Sequence, residues 1–388
     1  MYRNTYVEIN LKKLEQNVKN IIKNYNYKYY IGIVKANAYG HGYGIIKTII
    51  NSGINYLAVS NLEEALEIRK IDTQIGILCL EPIDKKYLEI CSKNNISLVV
   101  PSINYYNQIK EIKYKLNIHL KLDTGMKRLG LDKKEDVNYF YKDLKKHKNL
   151  YLEGIFTHFA TSGEYDKNYD NQVEKFEQLT SDINLNKIKM VHIDKSVTMC
   201  RHKKLKYTNG VRLGIIMYGY EVMHEEPKTL KNKLRKIKWD IIRKKQNITP
   251  VEPYKKIELE PVFKLVSEVF VVRKVKKNEY IGYGTIYKAP HDMIVAVVDI
   301  GYADGISMKR KKSRMEINGK LYNIVGDICM GMTFLEVDEN VKEKDKVIVI
   351  GDKISVREVA HDLKTSVYET ILMIDSNIER KYIWKYYY

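Results

Sequence analysis

The stretch YYIGIVKANAYGHGYG, residues 29–44, decides the fold. It opens as a short apolar run, Ile31, Gly32, Ile33 and Val34, and places one lysine, Lys35, where the run stops. A turn rich in glycine and alanine follows, carrying Tyr39 and His41, and gives way to the helical spacing of Ile45, Ile46 and Ile49. A strand buried on both faces reads like such a run, and a strand-to-helix loop reads like such a turn. In an α/β barrel the carboxyl ends of the strands carry the chemistry. A lysine there has an amine able to form a Schiff base with an aldehyde cofactor, and small neighbours let bulky rings approach. Taken alone, a lysine in such a place is more often simply solvated, so the weight of Lys35 rests on the rest of the chain.

Outward from this stretch the same alternation repeats. Strands are expected at 31–35, 56–60, 75–80, 96–100, 118–123, 152–158, 190–194 and 211–218. Amphipathic helical patterns lie at 11–25, before the first of them, and at 62–70, 84–92, 104–114, 132–145 and 168–182 between them. Eight such strands with helices between them are the arithmetic of a (β/α)8 barrel of the TIM type. After Tyr220 the pattern changes to a charged segment, 225–257, with a helix across 229–245 and prolines at Pro250 and Pro253. From Pro261 strands dominate, at 263–275, 293–299, 314–317, 333–337 and 346–350, with short helices at 356–363 and 366–374 and a hairpin signal at Asn318-Gly319. The expected organisation is a barrel domain over 1–257, including the charged segment, and a smaller, mostly β domain over 258–388.

Composition bounds the possibilities. The chain has 388 residues, of which 44% are hydrophobic, enough for two domains with a sizeable core. No apolar run approaches the ~20 residues of a membrane span, and the start, MYRNTYVEINLKK, has no signal-peptide core. Cys79, Cys91, Cys200 and Cys329 are scattered, without metal-ligand spacing. These features point to a reduced cytoplasmic protein with no disulfide and no metal. The net charge of +19 is spread over many helices rather than gathered on a reading surface. Neither nucleic acid nor membrane is expected as a partner.

The string VKANAYGHG resembles the lysine motif of the alanine racemase family, whose members use pyridoxal 5'-phosphate. Further segments carry the same resemblance. These are KLDTGMKRLG (121–130), FTHFATSGE (156–164), HIDKS (192–196), NGVRLGIIMYGY (209–220), IGYGTIYKAP (281–290), VDIGYADGI (298–306), VGDICMGM (325–332) and TSVYET (365–370). The resemblance extends over about residues 3–383. It implies an isomerase that interconverts L- and D-alanine for peptidoglycan precursors.

It also implies roles. Lys35 holds the cofactor and acts as one base, and Tyr283 acts as the other from the opposite face of Cα. A free phenol ionises near pH ~10 and needs help to act as a base. A chain from Arg212 through His158 is the implied help. Tyr283 comes from the partner subunit, so the resemblance implies a homodimer. Tyr39, Ser196, Gly214, Ile215 and Tyr368 border the cofactor, several at its phosphate, and Ser196 opens a helix as phosphate sites often do. Arg212 faces the pyridine nitrogen. A guanidinium can donate to that nitrogen but not hand over a proton, which favours racemisation over transamination. Arg128 grips the substrate carboxylate, Met330 lends its backbone to it, and Lys121 matches a lysine that is often carbamylated.

The chain also departs from the family pattern. Lys195 stands for an asparagine, Asp327 for an arginine and Gly331 for an aspartate. These departures leave open another small amino acid, such as serine, as the substrate. A fold-related decarboxylase would need a cysteine-bearing substrate loop and a different phosphate loop, and neither is found. A non-catalytic basic binding protein is the remaining alternative.

Overall fold

The computed structural model describes residues 3–163, 166–220, 230–252 and 256–384. These residues cluster into two compact units. The chain begins with β1 (Tyr6–Asn10). It then builds the barrel from β2 (Tyr29–Ile33), β3 (Tyr56–Val59), β4 (Ile77–Cys79), β5 (Ile96–Val100), β6 (Leu116–Lys121), β7 (Leu150–Phe156), β8 (Met190–Val191), β9 (Asp194–Lys195) and β10 (Gly210–Leu213). All neighbouring pairs are parallel, in the order β8-β7-β6-β5-β4-β3-β2-β10-β9. β8 and β9 are two pieces of one stretch, interrupted at His192 and Ile193, so the ring closes with eight strands. The strands are short and apolar because both faces are covered; all five residues of β5 are buried.

The helices between the strands carry ordinary start signals. Asn61 caps the helix Leu62–Ile71 by accepting from Glu64 N–H, and Glu63 and Glu64 occupy its first turn. Ser102 caps Ile103–Ile109 in the same way. The expected eighth strand, 211–218, is shorter than its apolar run. β10 ends at Leu213, and Ile215–Tyr218 is a 3-10 turn whose apolar side chains are buried all the same. Residues 221–229 and 253–255 of the charged segment lie outside the described residues. Its helix, Leu230–Gln246, leaves Leu234, Ile237 and Ile241 exposed.

The second unit contains β11 (Phe263–Val275), β12 (Tyr280–Ile281), β13 (Tyr287–Lys288), β14 (Met293–Val298), β15 (Arg314–Ile317), β16 (Lys320–Asn323), β17 (Thr333–Val337), β18 (Lys346–Ile350) and β19 (Glu379–Ile383). Its main sheet runs β16-β15-β18-β11-β1-β19, and β14 joins β11 to β17. The hairpin between β15 and β16 turns at Asn318 and Gly319, with φ 51° and 80°, as a two-residue turn that follows strand twist requires. The apolar centre beside β14 includes Ile281, Ala289, Met293, Val295 and Val325.

The division of the chain differs from the expected boundary at 257/258. The described residues up to Lys13, together with Asn37–Ile45, group with the residues from Pro261. The reason is strand pairing. β1 lies antiparallel to β11 and parallel to β19 in the second unit's sheet. Tyr6, Glu8 and Asn10 alternate with Val7 and Ile9, a strand pattern, but nothing local states which sheet it joins.

Candidate active site

In the barrel unit the expected residues gather at the carboxyl ends of the strands. Lys35 begins a five-residue helical turn, Lys35–Tyr39, just beyond β2. This turn is left-handed, with φ of 51°, 52°, 53° and 53° at Ala36, Asn37, Ala38 and Tyr39. Such a conformation costs a residue with a Cβ roughly 1–2 kcal/mol. The carboxylate of Glu64 anchors its start, accepting from Ala36 N–H at 2.6 Å and from Ser60 N–H at 2.8 Å.

Lys121 closes β6 and is buried. Burial lowers its amine to about 8, and the charges of Arg128, Arg212 and Lys35 push the same way. Its Nζ lies over the Phe156 ring at 5.6 Å. Asp123 caps the next loop, accepting from the N–H groups of Gly125 and Lys127 at 2.9 and 3.0 Å. Arg128 projects from that loop and is exposed.

Arg212, in β10, is buried and tightly held. It donates to the carbonyls of Thr157 at 2.7 Å, Ile193 at 3.1 Å and His192. It also donates to Nδ1 of His192 at 3.0 Å and Nδ1 of His158 at 3.3 Å. The gap between β8 and β9 falls at His192 and Ile193, whose carbonyls turn to this guanidinium. Burial lowers Arg212 to about 10, which leaves it a cation at neutral pH. Burial, followed by the charge of Arg212, lowers His158 to about 2, so its ring is neutral.

Ser196 follows β9, and its Oγ accepts from Gly214 N–H at 3.1 Å. Ser196 and Ile215 are both buried. Lys195, where the family pattern has asparagine, donates to the Phe159 carbonyl at 2.8 Å, and burial lowers it to about 8. Lys35, Lys121, Arg128, Lys195 and Arg212 make this end of the barrel strongly cationic. Such a donor set suits a ligand with a phosphate and a carboxylate. Ser196 Oγ, accepting from Gly214 N–H, keeps its own O–H to donate, which fits pyridoxal phosphate at its anionic end.

In the second unit Tyr39 packs its ring 5.5 Å from that of Tyr368. Tyr283 sits in the loop between β12 and β13, flanked by Gly282 and Gly284 at φ 78° and 68°, and is 72% exposed. Met330 is exposed, but its carbonyl accepts from Ala303 N–H at 2.9 Å while that of Cys329 accepts from Tyr302 N–H at 2.9 Å. Gly301 allows this approach, since a Cβ there would lie 2.3 Å from the Cys329 oxygen. Asp327 pairs with Lys311 at 3.5 Å. A Cβ on Gly331 would meet nothing within 4 Å, so the missing aspartate leaves open space.

Three polar residues inside the barrel escaped the sequence reading of the site: His119, Glu153 and His192. Their signal was a charge or an imidazole in or beside otherwise apolar, largely buried strands.

Known proteins resemble this chain over nearly its whole length. The family model for the N-terminal domain of alanine racemase matches residues 9–222, and that for the C-terminal domain matches residues 262–382. Alanine racemase 1 of Bacillus subtilis is 33% identical over 391 residues, covering 98% of this chain and 94% of the relative. The solved alanine racemase of Clostridium difficile 630 superposes with a TM-score of 0.85 at 30% identity, covering 99% and 97% of the two chains. A histidine racemase from Leuconostoc mesenteroides shares the fold, with a TM-score of 0.84 at 23% identity over 98% of each chain. With both of its domains matched, the chain belongs to the alanine racemase family of enzymes.

Proposed function

We propose that this protein racemises alanine with pyridoxal 5'-phosphate, by two bases, as a homodimer in the cytoplasm, and so supplies D-alanine for peptidoglycan. The observation that carries the reading is the hold on Arg212. Five hydrogen bonds fix a buried cation at the end of β10, next to the Ser196 and Gly214 pair. The cofactor's contribution, once bound, is an electron sink that makes the Cα proton of an amino acid acidic.

The chain's own residues do the rest. Lys35 Nζ is the attachment point, and Ser196 Oγ with the N–H groups of Gly214 and Ile215 holds the phosphate. Tyr39 and Tyr368 pack as a ring pair and border the cofactor. Arg212 donates an N–H to the ring nitrogen and keeps its proton, because a guanidinium near 10 stays charged. Arg128 holds the substrate carboxylate in its fork, with the Met330 backbone beside it. Lys35 would take the Cα proton of one enantiomer while Tyr283 delivers a proton to the opposite face, and the two exchange roles for the other enantiomer. Tyr283 and Met330 stand exposed in one chain, in keeping with a role at a second copy's site. Lys121, partly neutral at about 8, is the amine we assign to carbamylation. A carbamate there would place an anion among Arg128, Arg212 and Lys35.

A second reading, racemisation of another small amino acid such as serine, is favoured by the open space at Gly331. The test is an absorbance spectrum of protein supplied with pyridoxal phosphate, followed by chiral analysis of an amino-acid panel. A near-ultraviolet to blue band absent from Lys35→Ala, with alanine racemised fastest, is expected. Full-rate racemisation by Lys35→Ala would sink the mechanism. Faster serine turnover would move the substrate.

A further inference from the structure

Below the residues of the mouth, the barrel interior holds a continuous polar chain. Arg212 Nη1 lies 3.0 Å from His192 Nδ1. His192 Nε2 lies 2.9 Å from His119 Nδ1. His119 Nε2 lies 3.2 Å from Glu153 Oε2. Neither histidine has any solvent exposure, and Glu153 has 2%. The same Glu153 oxygen accepts from Tyr56 and Ser97, both at 2.7 Å, and Oε1 takes Lys189 at 2.7 Å.

The chain has only one consistent direction. A guanidinium can only donate, so His192 Nδ1 must accept. Its proton is then on Nε2 and is given to His119 Nδ1. His119 in turn keeps its proton on Nε2 and gives it to Glu153, which, ionised, can only accept. Each end of the chain therefore enforces the same tautomer on both rings. Among the described residues, none of the hydrogen bonds of Arg212 reaches a carboxylate directly.

The backbone is shaped for this chain. β7 is bulged at Glu153, since Ile118 pairs with Leu152 and His119 with Gly154. Bulges re-aim side chains. Gly154 leaves room for the ring, as a Cβ there would lie 2.3 Å from His119 Nδ1. Phe156 stacks on His192 with ring centroids 4.6 Å apart and planes at 11°.

We propose that Glu153 is a positioning residue for Arg212. Its carboxylate fixes the tautomers of His119 and His192, so that His192 Nδ1 always accepts from the guanidinium. A neutral amide at 153 frees His119 to reverse. His192 then presents an N–H to an N–H of Arg212, and the guanidinium loses one of its supports. The link from Arg212 to catalysis rests on the function proposed above, whereas the tautomers do not.

The test compares the wild type with Glu153→Gln and Lys189→Met. The tautomers are read by nitrogen NMR of histidine-labelled protein, with His119 and His192 assigned by substitution. In the wild type both Nδ1 atoms are expected to be bare. In Glu153→Gln, His192 Nδ1 gains a protonated population, and kcat for racemisation falls at least ~10-fold, as a wrong tautomer does elsewhere, with KM changed less. Lys189→Met, which removes the outer partner of Glu153, keeps the wild-type pattern and rate.

Wild-type tautomers and kcat in Glu153→Gln would overturn the proposal, as would equal losses in Lys189→Met. If Glu153→Gln does not fold, a proton on either Nδ1 in the wild type overturns it, and two bare Nδ1 atoms support it. Failure of the wild type to bind pyridoxal phosphate or to racemise would sink the proposed function and leave the tautomer result standing.

Discussion

At the scale of single residues, the buried imidazoles make the protein sensitive to acid. Burial lowers His41 to about 4 and His158 to about 2, and takes His192 well below its ordinary value. In the unfolded chain each titrates near ~6.5. Below that pH the unfolded state binds protons that the folded state refuses, so stability is full above about 6.5 and falls toward 4. Each imidazole contributes up to about 1.4 kcal/mol per pH unit over that window. Glu153, held far below the usual carboxylate range by its hydrogen bonds despite burial, extends the loss below about 4.5. Urea midpoints at pH 7.5, 6.0 and 5.0 should therefore descend steeply, and a flat profile would mean that the rings are charged in the folded state. A second expectation concerns Gly154. Ala there meets a ring nitrogen rather than a flexible chain end, and Gly154→Ala should cost about 1–3 kcal/mol in thermal or urea unfolding. An unchanged midpoint would show that His119 can move aside. Lys35 and Arg212 were legible in the sequence because each belongs to a recognisable motif in or just beyond an apolar run. Glu153 was not, since sequence alone does not show that its strand is bulged.

At the scale of elements, the turn after β2 is the least expected piece. The small residues of 36–40 read as a loop, but four consecutive residues with side chains at φ near 52° form a left-handed coil. Ala36 is exposed, so a substitution there tests handedness without loss of packing. Ala36→Gly should stabilise the protein by about 0.5–1 kcal/mol, because glycine adopts this conformation freely. Ala36→Val should destabilise it by more than about 1 kcal/mol. In an ordinary right-handed helix the glycine substitution destabilises instead, so the sign measured by thermal melting settles the matter. Elsewhere the periodicity located most elements well. β15, β17 and β18 coincide with the expected strands. The misreading at 211–218 has a plain cause: a buried 3-10 turn and a buried strand are equally apolar, and only the backbone at Gly214 separates them.

At the scale of the whole molecule, the sequence made the two-part architecture visible but not the exchange between its parts. The composition shift after Tyr220 and the strand-rich run from Pro261 mark the second unit. The membership of β1 in that unit is invisible locally, because its partners β11 and β19 lie some 250 and 370 residues further on. A fragment of residues 258–388 therefore lacks an internal strand of its own sheet and should fail to fold, giving no cooperative melt and rapid proteolysis. Joining residues 1–13 to it through a flexible linker should restore at least part of the transition. A fragment 258–388 that melts cooperatively on its own would show β1 to be dispensable. The pairing of β1 with β19 also bears on how the protein is made. During synthesis the first strand leaves the ribosome long before its last neighbour exists, a wait of roughly 20–75 s at about 5–20 residues per second. Until β11 is made Val7 and Ile9 belong to a strand with neither neighbour, and the side of β1 that pairs with β19 stays open for a further hundred residues or so. β1 therefore gains its two neighbours one at a time, and its sheet is complete only when β19 has been made.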